Sequence, residues 1–487
     1  MAQHDEEKLS AEFRNAEERI AARSDVFKKE LGLWDLVLTQ ILFIVGLGWV
    51  GAAAKLGHAH VLLWLTAIAL FYIPSAIVVI HLNKLMPLEG GLYQWAKFGF
   101  NEFVGFLVAW NLWLYVILLT SEIGLQFATN LSYATGAKWM AGSKWFITAA
   151  SIFVIATLTL VSILGLGVGK WVHNAGGVMM IIIFAALIAL PFLNVAKGTI
   201  PAYNPLEISI PAVTLLNLNI LGKMGFGALG GFEYMATFAG ECRDPVRSIN
   251  RSVIIAAPII AVMFILGTSS MLALIPIDEI DLIGPIPQAL SIGFQPFGIA
   301  VRVVSLAILM VLAMRIAQAS VNFSANSRLP MVAGWDKLLP EWFTRLHATR
   351  KTPVNSILLV AAITLSMGLA GLVGVGEQEA FQLLQNAAGI FYALTYLVMF
   401  AIPLIGLRHA NVKFPGWLKM VSLSGFLMTL LYVVLSVFPI INVASRATFA
   451  LKITGVIFIA NMIGIGIFKL AGNRQSSEPA LEPESAD

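Results

Sequence analysis

Three ionisable residues stand alone inside long apolar stretches of this 487-residue sequence. Arg315 lies in ILMVLAMRIAQASVNF, Glu122 in LLTSEIGLQ and Glu233 in GGFEYMATF. Because a charge is costly in an apolar interior, such side chains pair with one another, face water or contact a ligand. Arg315 is predicted to bind an anionic group, and the alternative is a structural ion pair with Glu122 or Glu233.

Two further segments carry an unusual density of glycine: VGLGWVGAAA, residues 45–54, and GKMGFGALGGF, residues 222–232. Each glycine weakens a helix by about 1 kcal/mol relative to alanine, so these segments either pack closely against neighbours or break. Two interrupted segments at matching positions of two halves are typical of inverted-repeat transporters, which bind substrate near the bilayer midplane. Such breaks direct free amides at a carboxylate and free carbonyl groups at an amine.

The composition excludes several classes of protein. Hydrophobic residues make up 58% of the chain and charged residues 12%, whereas a soluble protein carries roughly 25% charged residues. The sequence therefore predicts an all-α integral membrane protein. The net charge of +4 is small and dispersed, which argues against nucleic acid binding, and the lone cysteine excludes an intramolecular disulfide. The sequence shows no metal-ligand spacing and no nucleophile–base pair, so an enzyme is not expected.

Runs of about 20 apolar residues can cross a bilayer, and the sequence predicts twelve of them. The predicted spans are 34–56, 61–83, 100–126, 145–166, 172–194, 216–239, 252–276, 297–321, 355–374, 381–407, 416–439 and 449–470. Most Lys and Arg residues lie on the side that holds the N-terminus, which predicts a plasma (inner) membrane protein with both termini cytoplasmic. Residues 1–33 then form a cytoplasmic segment, and residues 471–487 form a disordered cytoplasmic tail.

The chain resembles the amino acid–polyamine–organocation (APC) transporter family over nearly all of residues 28–470. The similar motifs, in order, are FKKELGLWDLV, VGLGWV, MPLEGGLYQWAKFGFNEFVGFLVAW, ALGGFEYMATFAGECRDPVRSINRSV and SRLPMVAGWDKLLPEWFTRLHATRKTPV. The resemblance implies two inverted five-helix repeats, residues 34–195 and 216–407, in a leucine-transporter-type fold. It also implies two extra helices in residues 408–470, alternating access, and substrates that are amino acids or related amines.

The resemblance also implies a binding site at the two glycine-rich segments. A substrate carboxylate would meet the amides around Leu47 and Gly48. The amine would meet carbonyl groups near Ile44, Val45, Phe226 and Gly227. The complete predicted substrate-binding set is Ile44, Val45, Gly46, Leu47, Gly48, Val116, Thr120, Phe226, Gly227, Ala228, Leu229 and Gly230.

The charged residues within the spans are the predicted coupling or gating residues. Glu122 either selects a cationic side chain or lies at the outer vestibule. The resemblance implies that Glu233 is a gating or proton-linked carboxylate, and the alternative is a hydrogen-bonded structural acid. A cytoplasmic salt-bridge network that closes the site is predicted from four residues after the sixth span, Glu241, Arg243, Asp244 and Arg247.

The chain departs from the family's pattern at four places. Leu47 replaces a small polar residue between the two glycines, Trp49 replaces isoleucine after them, and Gly227 stands where a bulky aromatic gate is common. These departures predict either a roomier pocket or a gate supplied from elsewhere. Met180 occupies the position at which some proton-coupled members carry lysine, which argues against lysine-based coupling and makes Arg315 a candidate replacement cation.

The sequence as a whole predicts a secondary active transporter for amino acids, working by alternating access as an antiporter or proton symporter. A carrier of polyamines or other organic cations is the alternative within this class. A membrane nutrient receptor that binds without transport is the alternative outside it. The predicted partners are a small amino acid or amine and the lipid bilayer, with no cofactor, metal or nucleic acid.

Overall fold

The computed structural model describes residues 18, 29–88, 90–298, 300–331, 339–371, 377–407, 413–441, 443 and 445–477. Most of the predicted N-terminal segment 1–33 therefore lies outside the described residues, as do residues 478–487 of the predicted tail. The last helix continues to Ser477, so the first residues of the predicted tail are helical.

The described chain is helical, and its main helices are numbered here in chain order. They are α1 Leu33–Ile44, α2 Leu47–Ala54, α3 Gly57–Leu85, α4 Leu92–Gly99, α5 Glu102–Ser121, α6 Ile123–Thr135, α7 Lys144–Leu164, α8 Leu166–Ala196, α9 Leu215–Gly222, α10 Pro245–Leu274, α11 Pro285–Phe294, α12 Ala300–Asn326, α13 Val354–Gly371, α14 Glu377–Ile405, α15 Gly416–Leu435 and α16 Arg446–Ser477. A π-helical turn, Lys223–Ala228, and a 3₁₀ segment, Phe232–Glu241, follow α9. An isolated parallel bridge joins Leu31 and Cys242.

Most of the predicted spans correspond to helices that can cross a membrane. In the described part of the chain, nine helices are long and apolar enough, and α1 with α2 forms one further span that is bent by 44°. These account for ten of the twelve predicted spans. The sixth, 216–239, is divided among α9, the π-helical turn and the 3₁₀ segment, and the ninth corresponds to the shorter helix α13. The fold is therefore that of a polytopic helical membrane protein.

Short polar residues and glycine set the helix boundaries. Asn101 Oδ1 accepts a hydrogen bond from the Val104 amide at 2.9 Å and caps the start of α5. Asp244 caps α10 in the same way and is followed by proline at the first helical position. Gly165 lies between α7 and α8 with φ +84°, a conformation that favours glycine and lets these two helices follow each other directly.

The helices differ in how deeply they lie in the bundle. In the most apolar 18-residue window, 61% of the α14 residues are buried, against 11% for α16. Outward-facing positions of α16 are apolar, as Phe458 at 69% exposure shows. An apolar exposed face suits contact with lipid, so α16 lies at the rim and α14 at the centre.

One end of the bundle, here called the Arg328 end, is held by an ion pair and by backbone contacts. Arg328 donates from Nε and Nη2 to Glu241 Oε1, at 3.0 and 2.5 Å, and both side chains are buried. The Leu31 amide donates to the Glu241 carbonyl oxygen at 3.0 Å. The predicted network of residues 241–247 is therefore wrong in its partners: Glu241 pairs with Arg328, and Asp244 caps a helix.

We expect Arg328→Met to lower the stability of the protein strongly. The substitution leaves the Glu241 carboxylate buried without its cation, and breaking a buried pair from one side costs about 3–5 kcal/mol. Thermal unfolding of the detergent-solubilised protein measures the effect. The matched control is Lys452→Met, whose partner Glu379 lies 3.6 Å away in a partly exposed pair and is worth less than about 1 kcal/mol. Equal losses in the two variants would contradict the assignment.

Candidate functional site

The first predicted span bends between Ile44 and Leu47. Val45 and Gly46 are extended rather than helical, and α2 starts without a side-chain cap. The carbonyl groups at the end of α1 are instead met by one side chain of α12. Gln318 Nε2 lies 2.7 Å from the oxygen of Leu42 and 3.3 Å from those of Phe43 and Val45. The amide of Gln318 therefore closes the end of α1, and this residue was missed by the sequence analysis although it lies three positions after Arg315.

The sixth predicted span is interrupted at Gly230 and Gly231. The Gly230 amide donates to the Phe226 carbonyl oxygen at 3.0 Å, and Gly231 has φ +138°. A Cβ atom on Gly231 would lie 2.6 Å from Phe43 Cε1, so both its conformation and its surroundings require glycine. The Gly231 amide donates to the hydroxyl of Tyr396 at 2.7 Å, so a side chain of α14 satisfies this break.

The indole of Trp49 spans the two interrupted segments. A Cβ atom on Gly46 would lie 2.5 Å from Trp49 Cδ1, and one on Gly227 would lie 2.7 Å from Trp49 Cη2. The two glycines therefore accommodate the opposite edges of one ring. Of the two explanations offered for the missing aromatic on the sixth span, the structure favours an aromatic residue supplied from elsewhere, by the first span.

A cavity of about 90 Å³ lies between the two breaks and helices α5, α6, α12, α14 and α15. Nine predicted residues line it: Ile44, Gly46, Gly48, Thr120, Glu122, Phe226, Gly227, Gly230 and Arg315. Six predicted residues are buried but do not line it: Val45, Leu47, Val116, Ala228, Leu229 and Glu233. Lining residues that the sequence analysis missed include Trp49, Tyr115, Gln126, Gln318, Asn322, Gln385 and Tyr392. The missed polar residues are neutral amides and tyrosines, which cost less in an apolar helix than charges do and therefore attract less notice.

Glu122 and Arg315 both face this cavity without forming an ion pair. Glu122 Oε1 accepts from Gln126 Nε2 at 2.5 Å, and Arg315 Nη1 donates to Gln318 Oε1 at 3.3 Å. Glu122 Oε2 and Arg315 Nε are buried and have no hydrogen-bond partner in the described chain. The predicted alternative of a direct ion pair between Arg315 and either glutamate is therefore not what the structure has.

Glu233 lies behind the cavity wall and is held by two tyrosines of α14. Its Oε1 accepts from the Tyr392 hydroxyl at 2.5 Å, and its Oε2 accepts from the Tyr396 hydroxyl. The ring of Tyr392 stacks on Tyr115 with the centroids 4.2 Å apart. Glu233 therefore ties the sixth span to α14 and does not reach the cavity itself.

A further buried charge, Lys223, was not identified in the sequence analysis, although it lies within the second glycine-rich segment. Its side chain is almost fully buried, and its Nζ donates to Asn386 Oδ1 at 2.7 Å. The same Nζ lies 5.8 Å from the centroid of the Tyr432 ring. No carboxylate lies at ion-pair distance from Lys223 among the residues that the structure describes. Lys223 borders a small void of about 10 Å³ that is also lined by Trp49 and Leu282.

Comparison with known proteins places the chain among transporters. The family described as amino acid permease matches residues 31–468. An uncharacterized transporter of Legionella pneumophila is 24% identical over 398 residues, which cover 80% of this chain and 83% of that protein. The probable agmatine/putrescine antiporter AguD of Lactococcus lactis subsp. lactis is 22% identical over 254 residues, 52% of this chain and 54% of that protein. The aspartate/glutamate permease AcaP of Lactococcus lactis subsp. cremoris is 22% identical over 422 residues, 81% of this chain and 84% of that protein.

The match to the family spans almost the whole helical bundle, including both interrupted segments and every helix that lines the cavity. The relatives are named as transporters, and the substrates in their names range from amines to acidic amino acids. These findings indicate a transporter rather than an enzyme. The chain therefore belongs to the amino acid permease family of the APC superfamily.

Proposed function

We propose that this protein is a secondary active transporter of amino acids that works by alternating access. The observation that carries the proposal is that two interrupted spans both line one cavity inside the helical bundle. Interrupted backbone is tolerated at membrane depth only where it is buried in protein or lines a cavity. The proposed fold is two inverted five-helix repeats and two extra helices, twelve spans in all. Both termini are cytoplasmic in the inner membrane, so the Arg328 end faces the cytoplasm.

The two ends of a substrate amino acid find different partners at the first break. The first amides of α2, at Leu47 and Gly48, suit the carboxylate because α2 has no side-chain cap and its N-terminus carries partial positive charge. Gln318 donates to the carbonyl groups on either side of Ile44 and leaves that carbonyl for the substrate amine. Of the two predicted amine-binding carbonyl groups at the first break, those of Ile44 and Val45, this assignment leaves only that of Ile44.

Exchange is the mode of transport that we propose. A guanidinium keeps its proton throughout the physiological range, so Arg315 supplies a permanent positive charge beside the cavity without a bound ion. Proton symport is the alternative, and it would use a group that can titrate, either Glu122 or Lys223 at the cavity and its adjoining void. Uptake into proteoliposomes, with and without internal substrate and a pH gradient, distinguishes the two modes.

A carrier of polyamines or other organic cations is the second candidate. It is favoured by the unpaired oxygen of Glu122 in the cavity and by the likeness to a probable agmatine/putrescine antiporter. The two candidates differ in whether a carboxylate is required. The test is whether an amine displaces a bound amino acid as well as does the amino acid from which that amine derives by decarboxylation. If it does, the protein is a carrier of polyamines or other organic cations and not the proposed amino acid transporter.

A graded series at Gly48 tests the position of the carboxylate. A Cβ atom at Gly48 would lie 3.6 Å from the Leu282 carbonyl oxygen and 4.0 Å from Gln385 Nε2, which is ordinary contact. We expect Gly48→Ala to fold and to weaken binding by less than about tenfold, or about 1.4 kcal/mol. We expect Gly48→Leu to insert normally and to lose binding, since its side chain fills the space beside the amides. Binding of labelled amino acids to purified protein measures both effects.

The control for this series is Gly466→Leu, because a Cβ atom there has open space around it. This variant adds the same bulk to another spanning helix and should bind as the original protein does. Unchanged affinity in Gly48→Leu would remove the first break from the site.

A paired substitution tests whether Trp49 replaces an aromatic residue of the sixth span. We expect Gly227→Phe to abolish uptake, because its ring would occupy the volume of the Trp49 indole. Adding Trp49→Ala to that variant should restore part of the uptake, with a coupling free energy of about 1–3 kcal/mol. Initial uptake rates at equal protein levels, with Trp49→Ala alone as the control, give the coupling. Strictly additive effects would show that the two positions act independently.

A further inference from the structure

The polar end of the cavity carries two opposite charges that do not meet. Glu122 is 3% exposed, and Arg315 is half-buried and reaches the same space. Each is oriented by a nearby glutamine: Gln126 of α6 donates to the Glu122 carboxylate, and Gln318 of α12 accepts from the Arg315 guanidinium. Because both side chains line one cavity without contacting each other, that cavity presents an acceptor, the Glu122 carboxylate, and a donor, the Arg315 guanidinium.

Specific atoms at this end lack partners within the described residues. Glu122 Oε2 and Arg315 Nε are buried and unbonded, and so are Thr120 Oγ1 and Asn322 Oδ1. All four residues line the cavity. A buried polar atom without a partner costs about 1–3 kcal/mol, and more when it is charged. A substrate group that bonds several of these atoms at once therefore binds far better than one that leaves them unpaired.

Charge decides which group fits. A cationic side chain near Glu122 is repelled by Arg315, and an anionic one near Arg315 is repelled by Glu122, so a single charge gains little from the pair. An apolar side chain leaves both charges unsatisfied. A neutral group with donors and an acceptor is attracted by both. A primary carboxamide has two N–H donors and one carbonyl oxygen with two lone pairs.

We propose that Glu122 and Arg315 form a subsite for the side-chain carboxamide of the substrate, as in glutamine or asparagine. The carboxamide oxygen accepts from Arg315 Nε, one N–H donates to Glu122 Oε2, and the other donates to Asn322 Oδ1. This inference rests on the proposed function, because the backbone of the breaks must hold the α-carboxylate and α-amine while the side chain reaches this end. It makes the pair a specificity determinant rather than a structural ion pair.

The test is binding of four labelled amino acids, glutamine, glutamate, lysine and norleucine, to the purified protein in nanodiscs. Their side chains are amide, anionic, cationic and apolar. We expect glutamine to bind at least about tenfold more tightly than each of the others, since a site built for hydrogen bonds strongly rejects ligands that cannot make them. Tighter binding of glutamate or lysine, or equal binding of norleucine, would overturn the subsite.

Two variants add a signature that a structural role does not produce. Glu122→Gln removes the repulsion of an anion, so glutamate should gain on glutamine by about tenfold or more. Arg315→Met removes the repulsion of a cation, so lysine should gain instead. Glu379→Gln is the matched control, because Glu379 pairs with Lys452 at a partly exposed place outside the cavity and should leave the order unchanged. If the affinities for glutamate and lysine, relative to that for glutamine, change in the same way in both variants, the proposal is overturned. This holds even where both variants bind all ligands more weakly.

Failure of this inference is distinguishable from failure of the proposed function. If the protein binds amino acids without preference for an amide, the subsite is wrong and the transporter assignment stands. If it binds none of a full panel of amino acids, both are wrong. If variants at the pair do not fold, the order of the four ligands in the unaltered protein still decides.

Discussion

Inside a membrane, a backbone amide or carbonyl group without a partner is more costly than elsewhere, and the site of this protein is organised around that constraint. At the first break, the side-chain amide of Gln318 reaches two carbonyl oxygens of α1 and that of Val45, which follows it. At the second break, the hydroxyl of Tyr396 accepts from the Gly231 amide and donates to Glu233. The helices α12 and α14 therefore do more than surround the site: their side chains make the interrupted backbone possible.

This arrangement links the breaks to the residues that face the cavity. Gln318 also accepts from Arg315, so the residue that closes α1 orients the cavity's cation. Glu233 accepts from Tyr392 as well as Tyr396, and Tyr392 presents its ring to the cavity and to Tyr115. A displacement of either broken segment therefore moves a group that lines the binding space. Such coupling between backbone geometry and site geometry suits the alternating access proposed above.

The breaks and the lone charges could be predicted from the sequence because each violates a strong rule for membrane helices. Glycines at 46, 48, 230 and 231 and charges at 122 and 315 are conspicuous against apolar neighbours, and the structure places all six beside the cavity or at the breaks. The partners could not be predicted. Gln318, Tyr396 and Arg328 lie far along the chain from the groups that they contact, and an amide or hydroxyl in an apolar run does not specify which backbone group it meets.

The exchange of an aromatic residue between the spans shows a different limit. The sequence indicates that Gly227 lacks the usual aromatic side chain and that Trp49 is unusual. It does not indicate that the Trp49 ring occupies the space beside Gly227. The structure shows this relation, because the first span approaches the sixth and the indole of Trp49 lies against both Gly46 and Gly227. A site residue can therefore move between elements while the filled volume stays the same, because packing density constrains volume rather than sequence position.

The formal charges around the cavity bear on which substrates the protein can carry. Arg315 and Lys223 are positive, Glu122 and Glu233 are negative, and together they sum to zero when all four are ionised. A zwitterionic amino acid with a neutral side chain also has no net charge, so its binding leaves this balance unchanged. A cationic or anionic substrate would add an uncompensated charge to a low-dielectric interior, where its cost is greatest. The balance of the buried charges and the unbonded atoms of Glu122 and Arg315 therefore both support the substrate class proposed above, which is polar at its end and neutral overall.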